Sequence, residues 1–377
     1  MTRRPIAADS SNVAEISETR FDDFNQPGAN QSRSIINDIK HITLMSQKSN
    51  LHSIPTDCPT RERRGWLGDA WVSSDGGMLT LDTAALHTKW VRDIYDEQAR
   101  NIAAGLGACA PNIAPTEDPG LQASDNGMAR LGCGAPPWAI AAIVLPYNLW
   151  RYHGDAQIIA RYYSRMQLFM QWLDSTADNS TGLVSQDGLA DWCPPANVAT
   201  DPKSVSSFSQ VMGWQMLSEV ASALGKHDDA AAITARLARL TAAYRKAYYN
   251  STSGRYGDSA AQISHGGFVR PNVQTSNSMA LWLGVPTAEE KAKVVSALVK
   301  DVESKGHHLS TGIIGTRVLL QSLPIDTAYV TCLCVAVGGG TSSARMTGRW
   351  LLCRYAVAVQ DTYPGPGNFV RNGATTM

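Results

Sequence analysis

Apolar residues recur every three to four positions along most of the chain beyond about residue 33, the period of a helix with one face in water. Between Asp155 and Leu173 the stripe is Ile158, Ile159, Tyr162, Met166, Phe169 and Leu173, with Asp155 placed to cap its start. Met216, Leu217, Val220, Ala221 and Leu224 form a second stripe over Val211–Leu224, stopped by Gly225. Ile233, Leu237, Leu240, Tyr244 and Tyr248 form a third over Asp229–Tyr248, and Val294, Val295, Leu298 and Val302 a fourth over Ala288–Glu303. The fourth opens with Thr287 and Glu290 at capping-box spacing, and Gly306 follows it. The same reasoning predicts helices near 34–47, 77–99, 138–152 and 312–322. Strand-like alternation is short and isolated. Each predicted helix has one apolar face to bury, so they must pack on one another. No short repeat of fixed period is visible, which argues against the common solenoids and leaves an all-α class with a helical toroid as the natural architecture.

Composition narrows the picture modestly. The chain has 377 residues, 44% hydrophobic and 18% charged, with 33 basic and 33 acidic side chains. That balance offers no general attraction to nucleic acid or to an anionic membrane, and suits a neutral ligand. The most apolar run, Trp138 to Trp150, is short and contains Pro146, so it does not span a bilayer. No apolar stretch follows Arg3 and Arg4, so no signal peptide is visible, and localisation stays open. The seven cysteines show no zinc-type spacing and are read as free or buried thiols. No metal or cofactor is expected.

Chemistry concentrates in loops. Residues 54–69, IPTDCPTRERRGWLGD, set Asp57, Glu62 and Asp69 beside Arg61, Arg63, Arg64 and Trp66 on a backbone broken by prolines and glycines. A carboxylate accepts paired hydroxyl hydrogen bonds and an indole covers the apolar face of a sugar ring. A carboxyl group can also protonate a glycosidic oxygen. On composition alone a solvated, charged loop tied together by Arg–carboxylate pairs is the favoured account. GLADWCPP (188–195) places Asp191 beside Trp192, HHLSTGIIGTR (307–317) carries His308, and a Gly- and Pro-rich segment ends the chain.

At these segments the sequence resembles the α-L-rhamnosidases of glycoside hydrolase family 78. IPTDCPTRERRGWLGDAW is similar to that family's signature, and GLADWCPP, HHLSTGIIGTR and VRNGATTM resemble further family segments in the same order. The resemblance implies an (α/α)6 barrel of six helical hairpins and removal of terminal α-L-rhamnose from a glycoside or polysaccharide with inversion. Glu62 then matches the general acid. Asp57 and Asp69 match carboxylates that hold rhamnose hydroxyls, Trp66 a pocket wall, and Arg61 a group that orients a neighbouring carboxylate. Trp138 and Trp192 match further walls, while Asp191 and His308 lie in family-like segments without an assigned role.

The sequence also departs from the family pattern. The spacing from Asp57 to Trp66 is one residue short of the commonest form. Residues 1–32 read as a linker or the edge of a preceding β-sandwich domain, and 33–377 as the barrel. An anomalous stretch at about 329–354 reads either as translated non-coding or frameshifted sequence or as an insertion loop. Relatives continue past the GATT segment into a Trp-Glu element whose Glu is the general base. The expectation is therefore a barrel incomplete at its C-terminus, lacking its base. The alternatives are a catalytically inactive carbohydrate-binding protein of the same fold, or a helical scaffold without a ligand.

Overall fold

The computed structural model describes residues 29–116, 132–186, 189–195, 198–257 and 270–322. The expectations for 1–28 and 329–377 lie outside the described residues. Helices α1 (Ala29–Asn50), α2 (Leu67–Thr80), α3 (Ala84–Ala103), α4 (Pro136–Ala139), α5 (Ala141–His153), α6 (Ala156–Ser175), α7 (Pro202–Ala223), α8 (His227–Tyr248), α9 (Val273–Trp282), α10 (Ala288–Ser304) and α11 (Ile313–Ser322) make up nearly all of the regular structure. Strands β1 (Val198–Ala199), β2 (Tyr249–Asn250), β3 (Arg255–Tyr256) and β4 (Arg270–Pro271) are two residues each; β1 pairs with β4 in parallel and β2 with β3 antiparallel.

The packing is two concentric layers. α2 packs on α5, α5 on α7, α7 on α9, α9 on α11, and α11 returns to α2. Outside this ring, α3 lies on α5, α6 on α5 and α7, α8 on α7, and α10 on α9. Outer helices thus alternate with inner ones along the chain, which is the toroid of helical hairpins that the family resemblance implied.

This layering explains which helices the hydrophobic pattern reveals. The outer helices have one buried stripe. In α10 that stripe is Val294, Val295, Leu298 and Val302, and its start carries the capping box of Thr287 and Glu290. Asp155 caps α6 by accepting from the backbone of Gln157 and Ile158. The inner helices α5, α7 and α9 are buried nearly all round for much of their length, so period 3.6 has little polar phase to show there. α9 went unpredicted for this reason: Gln274, Thr275, Ser276, Asn277 and Ser278 are all buried. Their polarity is used rather than wasted. Asn277 pairs with the backbone N–H and C=O of Tyr256, and Gln274 accepts from Ser310 N–H and donates to the His308 carbonyl. The first half of α7 was missed likewise, because Ser206, Ser207, Ser209 and Gln210 are buried. Ser207 donates to the Val184 carbonyl and Gln210 accepts from the Val184 N–H.

Two further differences have local causes. The expected helix over 77–99 is two helices, α2 and α3, separated at 81–83, where Leu81 turns extended. α5 continues through Pro146, which has no N–H for the carbonyl of Ala142 four residues earlier. That carbonyl accepts the Tyr95 hydroxyl at 2.5 Å instead. The thiol expectation also needs correction at two positions. Cys109 and Cys133 form a disulfide, Cα atoms 5.3 Å apart, while Cys58 and Cys193 are free thiols. Residues between them include a stretch outside the described residues, so the bridge ties the loop before α4 to the segment around Cys109. By the chain-entropy account a loop of this size contributes about 3 kcal/mol.

The ring is closed by polar contacts. Arg317 of α11 donates to the Asp75 carboxylate of α2 at 2.7 Å, and Gln321 adds a second donor at 3.0 Å. Asn148 of α5 donates to the other Asp75 oxygen at 2.7 Å, and the Arg317 guanidinium lies over the Trp71 ring. Their side chains are only 13% and 10% exposed. Removing one partner strands a desolvated charge. Arg317→Met is therefore expected to lower unfolding free energy by about 3 kcal/mol, while Asp75→Leu with Arg317→Met recovers most of the loss. Denaturant titration of the three proteins checks this.

Candidate active site

The loop before α2 is folded on itself by its own polar atoms. Asp57 N–H donates to the Arg64 carbonyl at 3.1 Å, and Arg64 N–H returns to Asp57 Oδ1 at 2.9 Å. The Cys58 thiol donates to Asp57 Oδ2 at 2.9 Å, and Cys58 Sγ accepts the Glu62 N–H at 3.1 Å. Trp66 Nε1 donates to Glu62 Oε2 at 2.6 Å. Arg63 takes a left-handed φ of 54°, and its Nε donates to the Pro59 carbonyl. A residue without a glycine's freedom is held there by the hydrogen bonds on both sides. The loop's end is then fixed to the chain at 112–114. Trp66 bridges Ile113, Leu67 N–H donates to the Asn112 carbonyl at 2.8 Å, and Ala114 N–H to the Gly65 carbonyl at 3.0 Å. Any side chain at Gly65 would collide with the Ala114 carbonyl, so glycine is required by this close approach.

α2 begins one residue later, which places Asp69 in its first turn. Asp57 and Asp69 line one cavity of about 220 Å³, together with Ser46 and Asn50 of α1, His87 of α3, and Ile313. Burial pushes the Asp69 carboxyl up to about 6, and the negative charges of Asp57 and Glu62 push the same way. The three acids therefore sense one another. His87, which the sequence did not point to, is held neutral: burial takes its pKa down to about 4, and Nδ1 lies 3.0 Å from the Thr83 carbonyl. Its only sequence signal is a histidine on a helix, which is more often structural than not.

The other expected residues fall in different places. Arg61 is exposed, and the Arg64 backbone N–H and the Cys58 thiol both donate to the Asp57 carboxylate. Trp66 is half-buried and packs on the core. Trp138 is 2% exposed, with its indole pressed under Gly68 of α2, so it supports the floor from the core side and does not face the cavity. Asp191 is 3% exposed. Its oxygens accept from Gly312 N–H at 2.8 Å, Gly315 N–H at 2.9 Å and the Thr275 hydroxyl at 2.6 Å. It thus caps the start of α11 and has no oxygen left open to a sugar. Burial raises its pKa while these hydrogen bonds pull it down. Trp192, next in the chain, is 47% exposed, and its carbonyl holds the Ile313 N–H at 2.9 Å. Left-handed Ala190 (φ 52°) and Cys193 (φ 56°) flank the pair. His308 is exposed, with Nδ1 2.9 Å from the Lys305 carbonyl, and does not line the cavity. Among the described residues no group of three His, Cys, Asp or Glu is arranged to hold a metal ion, and no helix is long and apolar enough to cross a membrane.

A ring of helices with Asp57 and Asp69 at one cavity, and Glu62 and Trp66 on the loop beside it, has the form of a glycosidase-type helical toroid. Residues 29–329 match the family model described as the bacterial alpha-L-rhamnosidase six-hairpin glycosidase domain, and the chain belongs to that family. It is 29% identical over 347 residues to an α-L-rhamnosidase of Streptomyces avermitilis, covering 91% of this chain and 28% of that protein. The solved α-L-rhamnosidase of Dictyoglumus thermophilum superposes with a TM-score of 0.66 at 28% identity, over 81% of this chain and 31% of that one. The Streptomyces avermitilis α-L-rhamnosidase solved with L-rhamnose superposes with a TM-score of 0.64 at 25% identity, over 88% of this chain and 28% of that one. The chain spans 28% to 34% of the length of the curated relatives it matches.

The Asp69 shift has a stability consequence. Between its usual 3.8 and about 6 the folded state keeps a proton that the unfolded chain has released. Stability therefore falls as pH rises through that window, and the full cost is felt above pH 6. Asp69→Asn is expected to raise stability at pH 7 by on the order of 2 kcal/mol and to flatten this part of the pH profile. Denaturant midpoints measured from pH 4 to 7 check both effects.

Proposed function

We propose that this domain binds terminal α-L-rhamnose and that, in the protein to which it belongs, it hydrolyses the rhamnosidic bond with inversion. The observation that carries the reading is the shared environment of Asp57, Glu62 and Asp69 on one folded loop and helix start, beside Trp66 and a cavity of monosaccharide scale. Glu62 is the general acid. It is the outermost of the three, exposed at the lip of the loop, where a glycosidic oxygen can approach. Asp57 and Asp69 accept hydroxyl hydrogen bonds, which favours their charged forms, so ligand affinity is expected to weaken as pH falls below about 6. Trp66 and Trp192 offer indole faces to the apolar side of the ring.

Inversion requires a second carboxylate about 6.5–9.5 Å from the acid, with water between them. Asp57 and Asp69 are occupied with positioning on this reading. It therefore assigns the base to a carboxylate beyond the described residues, in the Trp-Glu element that follows the GATT segment in the family. The competing reading is a sugar-binding protein without turnover.

A chromogenic α-L-rhamnoside assay separates the two, run on the 377-residue chain and on a version extended through a Trp-Glu element. Glu62→Gln is expected to lower kcat about 10²–10⁴-fold while leaving L-rhamnose affinity nearly unchanged. Asp57→Asn is expected to weaken L-rhamnose binding about tenfold. Hydrolysis that survives Glu62→Gln at full rate removes Glu62 from the mechanism. Binding by both versions with turnover by neither favours the sugar-binding reading.

A further inference from the structure

Asp57 lines the sugar-sized cavity, and its two carboxylate oxygens are held in different ways. Oδ1 accepts the Arg64 backbone N–H at 2.9 Å, a bond that any residue but proline could supply from that position. Oδ2 accepts the Cys58 thiol at 2.9 Å, so its orientation depends on one particular side chain. The sulfur is itself fixed, because it accepts the Glu62 backbone N–H at 3.1 Å. A thiol carries a single hydrogen, and with an N–H directed at the sulfur that hydrogen is turned onto Asp57. Cys58 is half-buried and a free thiol, outside the Cys109–Cys133 disulfide. One sulfur thus ties the side chain of Asp57 to the backbone of Glu62.

We propose that Cys58 is a positioning residue for sugar binding that acts through Asp57, its thiol aiming the carboxylate into the cavity. The proposal rests on the rhamnoside reading above and adds to it the residue that orients the sugar-holding acid. A weak, neutral donor suits the task. A carboxylate offers about four lone-pair positions, so one protein donor on each oxygen leaves about two for sugar hydroxyls. The thiol brings no charge, so Asp57 keeps its own, and that charge is felt at Asp69, whose proton it helps to hold. A lysine or arginine in the same place would pair with Asp57 and compete with the sugar for its oxygens.

The test is L-rhamnose affinity, measured by NMR titration of the 377-residue chain, of Cys58→Ala, Cys58→Ser and Asp57→Ala, and of the double variant Cys58→Ala with Asp57→Ala. Cys58→Ala is expected to weaken binding about fivefold, through loss of one hydrogen bond to a charged group. Cys58→Ser, whose hydroxyl donates and accepts as the thiol does, should stay within about twofold of the unsubstituted chain. Adding Cys58→Ala to Asp57→Ala should weaken binding no further, since no carboxylate remains to be aimed. A merely structural contribution to the loop would add to the Asp57→Ala loss and would not be restored by serine. Full affinity in Cys58→Ala, no recovery in Cys58→Ser, or additive losses in the double variant each overturn the proposal while the rhamnoside reading stands. If Cys58→Ala does not fold, Cys58→Val, which keeps the bulk and forms neither hydrogen bond, replaces it in both comparisons with the same expectations. No binding by the unsubstituted chain, or undiminished binding by Asp57→Ala, overturns the rhamnoside reading at Asp57 and the proposal with it.

Discussion

A ring of helices has no end-to-end sheet to hold it, so everything inside depends on how its inner helices meet; among the described residues α11 is the last of these and α2 the first. Here α11 meets α2, and the contact is carried by Asp75, which collects Arg317, Gln321 and Asn148 from two other inner helices. Three donors on one carboxylate make desolvation tolerable, and the guanidinium is further covered by the Trp71 face. The other end of α11 is held by a second buried aspartate, Asp191, which caps its first turn from the 189–195 loop. α11 is thus a strut pinned at both ends by acids, and the cavity lies along it between the pins.

That arrangement sets the geometry of the site. α2 carries Asp69 in its first turn and Asp75 a turn and a half later on the same helix. α11 carries Ile313 at its start, bonded through its N–H to the Trp192 carbonyl. The two helices therefore fix how far Asp69 stands from the Trp192 loop. The Asp57–Trp66 loop is then hung between α1 and α2, with its own geometry set by Cys58, Arg64 and the backbone pairing at 112–114. Asp57 is held by the Arg64 backbone N–H and the Cys58 thiol, and Glu62 by the Trp66 indole, which restricts their rotamers.

The buried acids illustrate how one residue type divides its labour by environment. Asp75 and Asp191 have their oxygens filled by protein donors and serve the frame. Asp69 is buried without such satisfaction, next to two other acids, and its pKa rises to about 6. The charged form of such a group is a standing cost to stability above that pH. A similar contrast separates two tryptophans: Trp138 is sealed under Gly68, while Trp192 is presented outward by a loop with two left-handed residues.

The primary sequence determined the all-helical class, most of the helices and the gathering of three acids and an indole in one short segment. Those properties are local: a one-sided helix writes its period into the chain, and the Asp57–Asp69 segment packs its acids and indole within one loop. Tertiary structure alone decided the rest. The inner helix α9 and the first half of α7 carry no period, because burial on every side removes the polar phase, and their serines, glutamines and asparagines bond to loops far away in sequence. Asp191 and Trp192 are neighbours in sequence with opposite fates, and only the approach of Gly312 and Gly315, more than a hundred residues later, turns the acid inward and the indole outward. The partner of Arg317 lies 242 positions away on α2. No local pattern encodes such a pairing, since it exists only when the ring closes.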